Sequence, residues 1–318
     1  MNLVVARDAI LERILDVTFS VWHDGLTRRA YGQLNDAQMR TAWGAAHLHR
    51  VALVDASGTL LSSAKRYRLT ASLRGRTVCV CGIGAVFTPP EVRGRGYASE
   101  LVSRLVDGAR NEGAELAMLF SEIDPAFYER LSFEAVPLDE VTLAVHRKDG
   151  APAMLVRAGG DSDLPALASM HTTRSDTSSF ALQRDASYIQ FSLAKKRLRA
   201  GLAASGVRQV EFYVAEEGAS AVAYVMLSVN HHGWTLDEAG DRDPAGARLG
   251  AMLQVLAARE PSAGAPSILA WWPRAFPVPP QMAIANTRQP RDRLMMRPLA
   301  DVPLPGAADV FYWRGDVF

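Results

Sequence analysis

The sequence predicts an α+β protein built as two tandem domains, residues 1–150 and 151–318. Three observations predict it. A chain of 318 residues is too long for one core of ordinary size and suits two domains. Stretches with helical apolar spacing are interleaved with short strand-like runs bounded by glycine turns. Near Asp149 to Ala151 the pattern restarts, and the same order of helices and strands follows a second time, as in a diverged tandem duplication.

In the first copy, Ile10, Leu11, Ile14, Leu15 and Phe19 recur at helical spacing, and a second amphipathic helix is expected over Asp36 to His49. The runs "HRVALVDASG", "TLLSSAKRYRLT" and "TVCVCGIGAVF" read as strands. Ala98, Leu101, Val102, Leu105, Val106 and Ala109 form one apolar helical face that stops at Gly113. "AELAMLFSE" reads as a buried strand, "PAFYERLSF" as a helical turn with Pro125 near its first position, and "DEVTLAVHR" as the strand that closes the first domain. In the second copy "AMLVRAGGDSDLPALASMH" reads as strand, cap and helix, and "DASYIQFSLAKKRLRAG" as a helix. The strands "QVEFYVAEEG", "SAVAYVMLSVN" and "GWTLDEAG" follow, then the helix "AGARLGAMLQVLAARE" and the strand "SILAWW". The tail "DVFYWRGDVF" is too apolar to fray and is expected to dock.

The 35 basic and 34 acidic residues nearly cancel, which argues against nucleic acid or an anionic membrane as partner; any anion must be held locally. "RQPRDR" is interrupted by Asp292 and does not change that. Only Lys65, Lys148, Lys195 and Lys196 are lysine in an arginine- and alanine-rich chain, a GC-rich coding bias that reads as bacterial. No apolar run approaches the roughly 20 residues of a membrane span, and charges interrupt the N-terminus before a signal core can form, so a cytoplasmic protein is expected. Cys79 and Cys81 share one face of a strand, which disfavours a disulfide; without zinc-type spacing they read as core thiols, and no metal site is expected.

The chemistry is concentrated in "VFTPPEVRGRGYASELVSRLVDGAR". A strand runs into Arg93-Gly94-Arg95-Gly96-Tyr97-Ala98 and then into a helix, whose first amides are unpaired and carry partial positive charge. A pyrophosphate fits such a turn; the plain alternative is a surface turn with solvated arginines. A Walker loop is excluded because the turn has no lysine, and the dinucleotide fingerprint fails at Ser99. The pattern (Q/R)xxGx(G/A) is met by Arg93, Gly96 and Ala98.

With this loop, the strand "AMLFSE" and the segment "FYERLSFE", the first copy resembles the GNAT superfamily of acyl-coenzyme A-dependent N-acetyltransferases; Ser132 stands where that family usually has glycine. The tandem layout is similar to Eis-type acetyltransferases and to fungal lysine N6-acetyltransferases. Eis-type proteins carry a third, sterol-carrier-like domain, for which no room is expected after the second copy.

The resemblance implies two GNAT-like domains, each a mixed central sheet flanked by helices, the first binding acetyl-coenzyme A and the second degenerate. It implies that Val86, Phe87 and Thr88 pair with the pantetheine arm and that Gly94, Arg95, Gly96, Tyr97, Ala98 and Ser99 cradle the pyrophosphate, with Arg93 adding charge. It places Ser121 and Glu122 where the central strands diverge, makes Tyr128 the acid that protonates the leaving thiolate, and puts Trp22, Asp24 and Tyr31 at the acceptor pocket. The acceptor it implies is a primary amine of a small molecule or of lysine. The base candidates are Glu122, Asp124, an ordered water chain or another carboxylate; Eis-type enzymes use a C-terminal phenylalanine carboxylate, and this chain ends in Phe318. His23 stands with Trp22, Asp24 and Tyr31 as a pocket-lining candidate, more in keeping with a surface polar residue than a base, and its role stays open; His231 and His232 are given no chemical role. In the second copy the loop "GDRDPAGAR" stands where the phosphate turn stands in the first, and Asp241 and Asp243 there oppose an anion. The rival reading is a non-catalytic acyl-coenzyme A sensor or scaffold; the identity of the acceptor and any homo-oligomer stay open.

Overall fold

A computed structural model describes residues 1–146, 154–231, 233–259, 267–274, 276–306 and 310–318. The expected boundary at residue 150, Lys148 and His232 lie outside the described residues. The chain opens with β1 (Asn2–Val5), α1 (Asp8–Trp22), α2 (Arg28–Arg40) and α3 (Ala42–His47). Next come β2 (Leu48–Val54), β3 (Leu60–Leu73), β4 (Arg76–Phe87), α4 (Tyr97–Asn111), β5 (Leu116–Ser121), α5 (Ala126–Glu129) and β6 (Glu134–Ala135). The next stretch gives β7 (Glu140–Val145), β8 (Leu155–Ala158), α6 (Leu164–Ser175), β9 (Phe180–Leu182), α7 (Ala186–Leu202) and β10 (Arg208–Glu217). The last elements are β11 (Ser220–Asn230), β12 (Gly233–Asp241), α8 (Ala247–Ala258), β13 (Ile268–Trp271), β14 (Met282–Arg288), β15 (Arg293–Pro298) and β16 (Val310–Phe311).

Two compact units result: Met1–Pro137 with Arg291–Pro305 and Phe318, and Leu138–Pro290 with Gly306–Val317. The first contains a sheet in the order β1-β2-β3-β4-β5-β15-β6, in which β4 and β5 run parallel. Strand alternation gives that sheet two apolar faces. Val51, Leu53, Cys81, Ile83, Ala117 and Leu119 pack under Leu101, Val102, Leu105 and Val106 of α4, while Ala52, Val54 and Leu60 pack with Ile14 of α1. The second unit has the order β14-β7-β13-β12-β11-β10-β8, with β12 and β13 parallel. There α8 covers one face through Leu249, Met252, Leu253 and Leu256, and α6 and α7 cover the other through Leu167, Met170, Ile189 and Leu193. Both are mixed sheets flanked by helices, as the resemblance implies. None of the helices among the described residues is long and apolar enough to cross a membrane.

Three expectations need correction. The strand "DEVTLAVHR" does not close the first sheet: β7 pairs with β13 and β14 of the second. The edge it leaves on β5 is taken by β15, in register from Arg293↔Ser121 to Pro298↔Leu116. Loop-closure cost rises slowly with chain length, so the burial of Leu294, Met295 and Met296 decides the pairing more than nearness in sequence. The helix expected over Asp36 to His49 breaks at Thr41, whose backbone is extended and whose hydroxyl accepts from the Gly44 amide as the cap of α3. Of the two cysteines only Cys81 is a core thiol; Cys79 is exposed, one residue before the β4–β5 ladder begins. The N-terminal strand β1, which pairs with β2, had no signal beyond Leu3, Val4 and Val5.

The tail is docked. β16 pairs in parallel with β9, and Phe311 and Trp313 join the core under α8. Tyr312 donates its hydroxyl to the carbonyl of Asp316, and the Lys195 ammonium donates to the carbonyl of Val317 at 2.7 Å.

Candidate active site

The first sheet changes character at the C-terminal end of β4. The β4–β5 ladder runs from Val80↔Leu116 to Ile83↔Leu119, and both strands then continue, to Phe87 and Ser121, without a further pair between them among the described residues. On the other side, the β3–β4 register shifts: Lys65 faces Gly84, yet Ser63 faces Phe87, so β4 carries one extra residue. Ala85 takes up that residue in left-handed backbone, φ 49°. This is a β-bulge, which bends a strand and increases its twist. Val86 is half-buried just beyond it; the Phe87 carbonyl accepts from the Ser62 hydroxyl at 3.0 Å, and the Thr88 hydroxyl lies 3.1 Å from the same Ser62 oxygen.

The loop after β4 ends in a left-handed glycine turn. Gly94 has φ 77° and Gly96, the N-cap of α4, has φ 81°. A Cβ built on either would meet nothing within 4 Å, so the space above the turn is open. Glu100 makes the first bond of the helix, to the Gly96 carbonyl at 3.0 Å. The amides of Tyr97, Ala98 and Ser99 precede that bond and are free of intrahelical partners. Arg93 is turned back on its own loop: its Nε donates to the Thr88 carbonyl at 3.0 Å, and its guanidinium stands 5.8 Å from the centre of the Phe87 ring. Arg95 is exposed beside the turn.

Residues 18–136 match the family described as acetyltransferase (GNAT) domain. That stretch includes the bulged strand, the glycine turn and α5. Residues 18–136 form a GNAT acetyltransferase domain. The protein is therefore an acyltransferase. Over nearly its whole length it also shares a fold with solved N-acyltransferases. A protein from Enterococcus faecalis V583, described as "Probable N-Acyltransferase", aligns with TM-score 0.69 at 12% identity, over 94% of this chain and 72% of that one. A GCN5-related N-acetyltransferase from Kribbella flavida aligns at 0.66 and 18% identity, over 93% and 70%. Eis1 from Mycobacterium abscessus aligns at 0.57 and 14% identity, over 94% and 74%. At such identities the likeness is one of fold. No curated protein matches the chain in sequence.

In the GNAT domain Tyr128 lies on α5, 6% exposed, against Phe127 and Phe133 at 4.9 and 6.1 Å. Burial alone pushes its phenol up to about 12, so the proton is held throughout the neutral range. Ser121 is buried and donates to the Ile123 carbonyl at 2.9 Å, which shapes the exit of β5. Glu122 and Asp124 are exposed, and Asp124 accepts from the Ala126 amide at 3.0 Å in the turn that leads into α5. Ser132, where glycine was the expectation, has φ 60°, the backbone that explains why glycine suits this position.

Phe318 belongs to the same unit as the GNAT domain. Its ring lies 4.8 Å from that of Tyr67 on β3 and 5.6 Å, edge-on, from that of Phe120 on β5. Its main chain runs against Gly84 and its ring against Gly82. Sequence reasoning missed these four partners, although two glycines inside a strand are a signal for close approach of another chain segment. At the end of α1, half-buried Trp22 meets Phe87 edge-on at 5.9 Å. Asp24 is exposed in left-handed backbone, φ 48°, and the His23 ring accepts from the Gly25 amide at 3.1 Å in the same turn. Tyr31 is buried; its hydroxyl lies 3.1 Å from the Thr18 hydroxyl, so it ties α2 to α1 and does not stand free.

The second unit repeats the turn with a different filling. Gly246, φ 69°, caps α8 as Gly96 caps α4. Here a Cβ would meet Pro279 Cγ at 3.1 Å. The buried Asp241 carboxylate accepts from the amides of Leu249 at 2.9 Å and Asp243 at 2.8 Å, and the Asp243 carboxylate from that of Ala245 at 3.0 Å. Three amides of this turn and of the first turn of α8, those of Asp243, Ala245 and Leu249, are thus met by the chain's own carboxylates.

Proposed function

We propose that the protein transfers an acetyl group from acetyl-coenzyme A to a primary amine, either of a small molecule or of a lysine side chain. The observation that carries this reading is the open left-handed turn at Gly94 and Gly96 leading into α4 within a GNAT domain. Gly94 to Ser99 offer unpaired amides and the positive end of α4 to a pyrophosphate, with Arg95 beside them. Arg93 serves by bracing Thr88 and Phe87, which keeps the Val86–Thr88 edge in place for the pantetheine amides. Ser121 and Glu122 border the gap between the diverging strands. Trp22 and Asp24 flank the acceptor, and Tyr31 supports the helix pair that carries them.

Acetyl-coenzyme A supplies the acetyl group as a thioester. The amine nitrogen bonds to the acetyl carbon as the carbon–sulfur bond breaks. An alkylammonium of pKa about 10.4 must first lose a proton. The terminal carboxylate of Phe318 accepts it, directly or through one water. Tyr128, protonated through the neutral range, gives a proton to the departing sulfur, and its phenol is reprotonated through solvent as the attacking nitrogen sheds its second proton to form the amide.

The test is thermal denaturation with acetyl-coenzyme A, followed by thiol release over a panel of amines. At a hundredfold excess over Kd the ligand adds about 2.7 kcal/mol. Gly96→Glu, which puts a carboxylate in the open turn, should remove that gain. Equal stabilisation of both proteins would defeat the assignment of the turn.

A further inference from the structure

We propose that Gly82 and Gly84 form a seat for Phe318 and are positioning residues for its terminal carboxylate; this rests on the reading of Phe318 as the base. The two glycines are two apart on β4 and face the same side of the sheet. Neither has positive φ, so their backbone is one that any residue can adopt. Glycine inside a strand gives up side-chain packing and costs conformational entropy, so another cause must be found. That cause is Phe318. A Cβ on Gly84 would stand 2.9 Å from the Phe318 carbonyl oxygen and 3.3 Å from its carbon, and the third atom within reach is also of Phe318. A Cβ on Gly82 would stand 2.9 Å from Phe318 Cζ and 3.0 Å from Leu69 Cδ1.

The side chains around the seat complete it. Tyr67 is the ladder partner of Gly82 and Lys65 that of Gly84, so both project to the face on which Phe318 lies. The Tyr67 and Phe120 rings hold the Phe318 ring from two sides. Gly84 is also the last residue before the bulge at Ala85 and the first after the β4–β5 ladder ends at Ile83. The seat therefore sets the carboxyl group at the point where the two central strands stop pairing. A residue with any side chain at position 84 would lift that group off the sheet at this point.

The experiment uses the 318-residue chain, Gly84→Ala and Gly82→Ala, and measures release of the last residue by carboxypeptidase A under native conditions. The seat predicts slow release of phenylalanine from the native chain and release at least about tenfold faster from each variant. Stabilisation by acetyl-coenzyme A should be unchanged in both. Shrinking the occupant should restore protection, so Gly82→Ala combined with Phe318→Leu should release its last residue more slowly than Gly82→Ala alone. In a chain that stops at Val317, Gly84→Ala should leave the melting temperature unchanged, which separates the seat from any general demand for glycine in β4. Equal release from native and variant chains, or an equal loss of melting temperature with and without Phe318, would overturn the seat. Faster release with undiminished thiol-release turnover would uphold the seat and remove Phe318 as the base.

Discussion

Tyr128 shows what burial does to the group proposed as the acid. Held against Phe127 and Phe133, its phenol is pushed up to about 12, against an ordinary 10. Tyr128→Phe keeps the ring and removes the proton, so turnover should fall by about 10²–10⁴ while stabilisation by acetyl-coenzyme A persists; unchanged turnover would reduce Tyr128 to a packing residue. The same shift bears on stability. Between pH 10 and about 12 the folded state binds more protons at Tyr128 than the unfolded state does, so stability should fall as pH rises through that window, and the Phe variant should lose that part of the dependence. Ser132 gives a second residue-level prediction. Its φ of 60° strains a side chain, so Ser132→Gly should raise stability by on the order of 0.5–1 kcal/mol, read from the midpoint of urea unfolding. A loss would mean that contacts of Ser132 outweigh the strain.

At the scale of elements, α4 and α8 begin with the same left-handed glycine, yet only the first leaves its amides open. Calorimetry with acetyl-coenzyme A should therefore count one site per chain, and two would contradict the self-capped turn at Asp241. The apolar stripe of α4, the strands on either side of its loop and the glycine turn were legible in the sequence because each is specified by local spacing. The partners of β7 and β15 were not. The strand β15 was not legible at all, since Leu294, Met295 and Met296 are buried in a row without alternation, and the pattern of β7 does not say which sheet it joins. Thr41 was hidden for a related reason: a capping residue within two consecutive amphipathic stretches leaves the helical periodicity intact while ending one helix and starting another. Of the site, the turn and Tyr128 could be read from motifs. Tyr67, Phe120, Gly82 and Gly84 could not be assigned to Phe318, because what brings them together is contact between segments about two hundred residues or more apart in sequence.

At the scale of the whole molecule, acid should expose the second unit's buried polar centre. Arg184 is fully buried among the carboxylates of Glu238 and Asp316, and His171 sits beside it with one ring nitrogen 2.9 Å from the Leu182 carbonyl. Burial and the Arg184 charge push the His171 imidazole down to about 3. Between pH 6.5 and about 3 the unfolded chain binds more protons at this residue than the folded one, so its contribution is lost as pH falls through that window, a loss of a few kcal/mol in order of magnitude. Burial raises the Asp316 carboxyl, which works the other way at the top of the carboxylate range, so the comparison with His171→Asn isolates the imidazole. The most direct test of the whole account concerns the carboxylate on Phe318. Turnover should be measured from pH 6 to 10 for the 318-residue chain and for one extended by three glycines, which keeps the ring and moves the charge. The account predicts equal stabilisation by acetyl-coenzyme A, loss of most turnover in the extended chain at neutral pH, by about 10²-fold or more, and partial recovery as the pH approaches that of the free amine. Equal turnover of the two chains at neutral pH would contradict it.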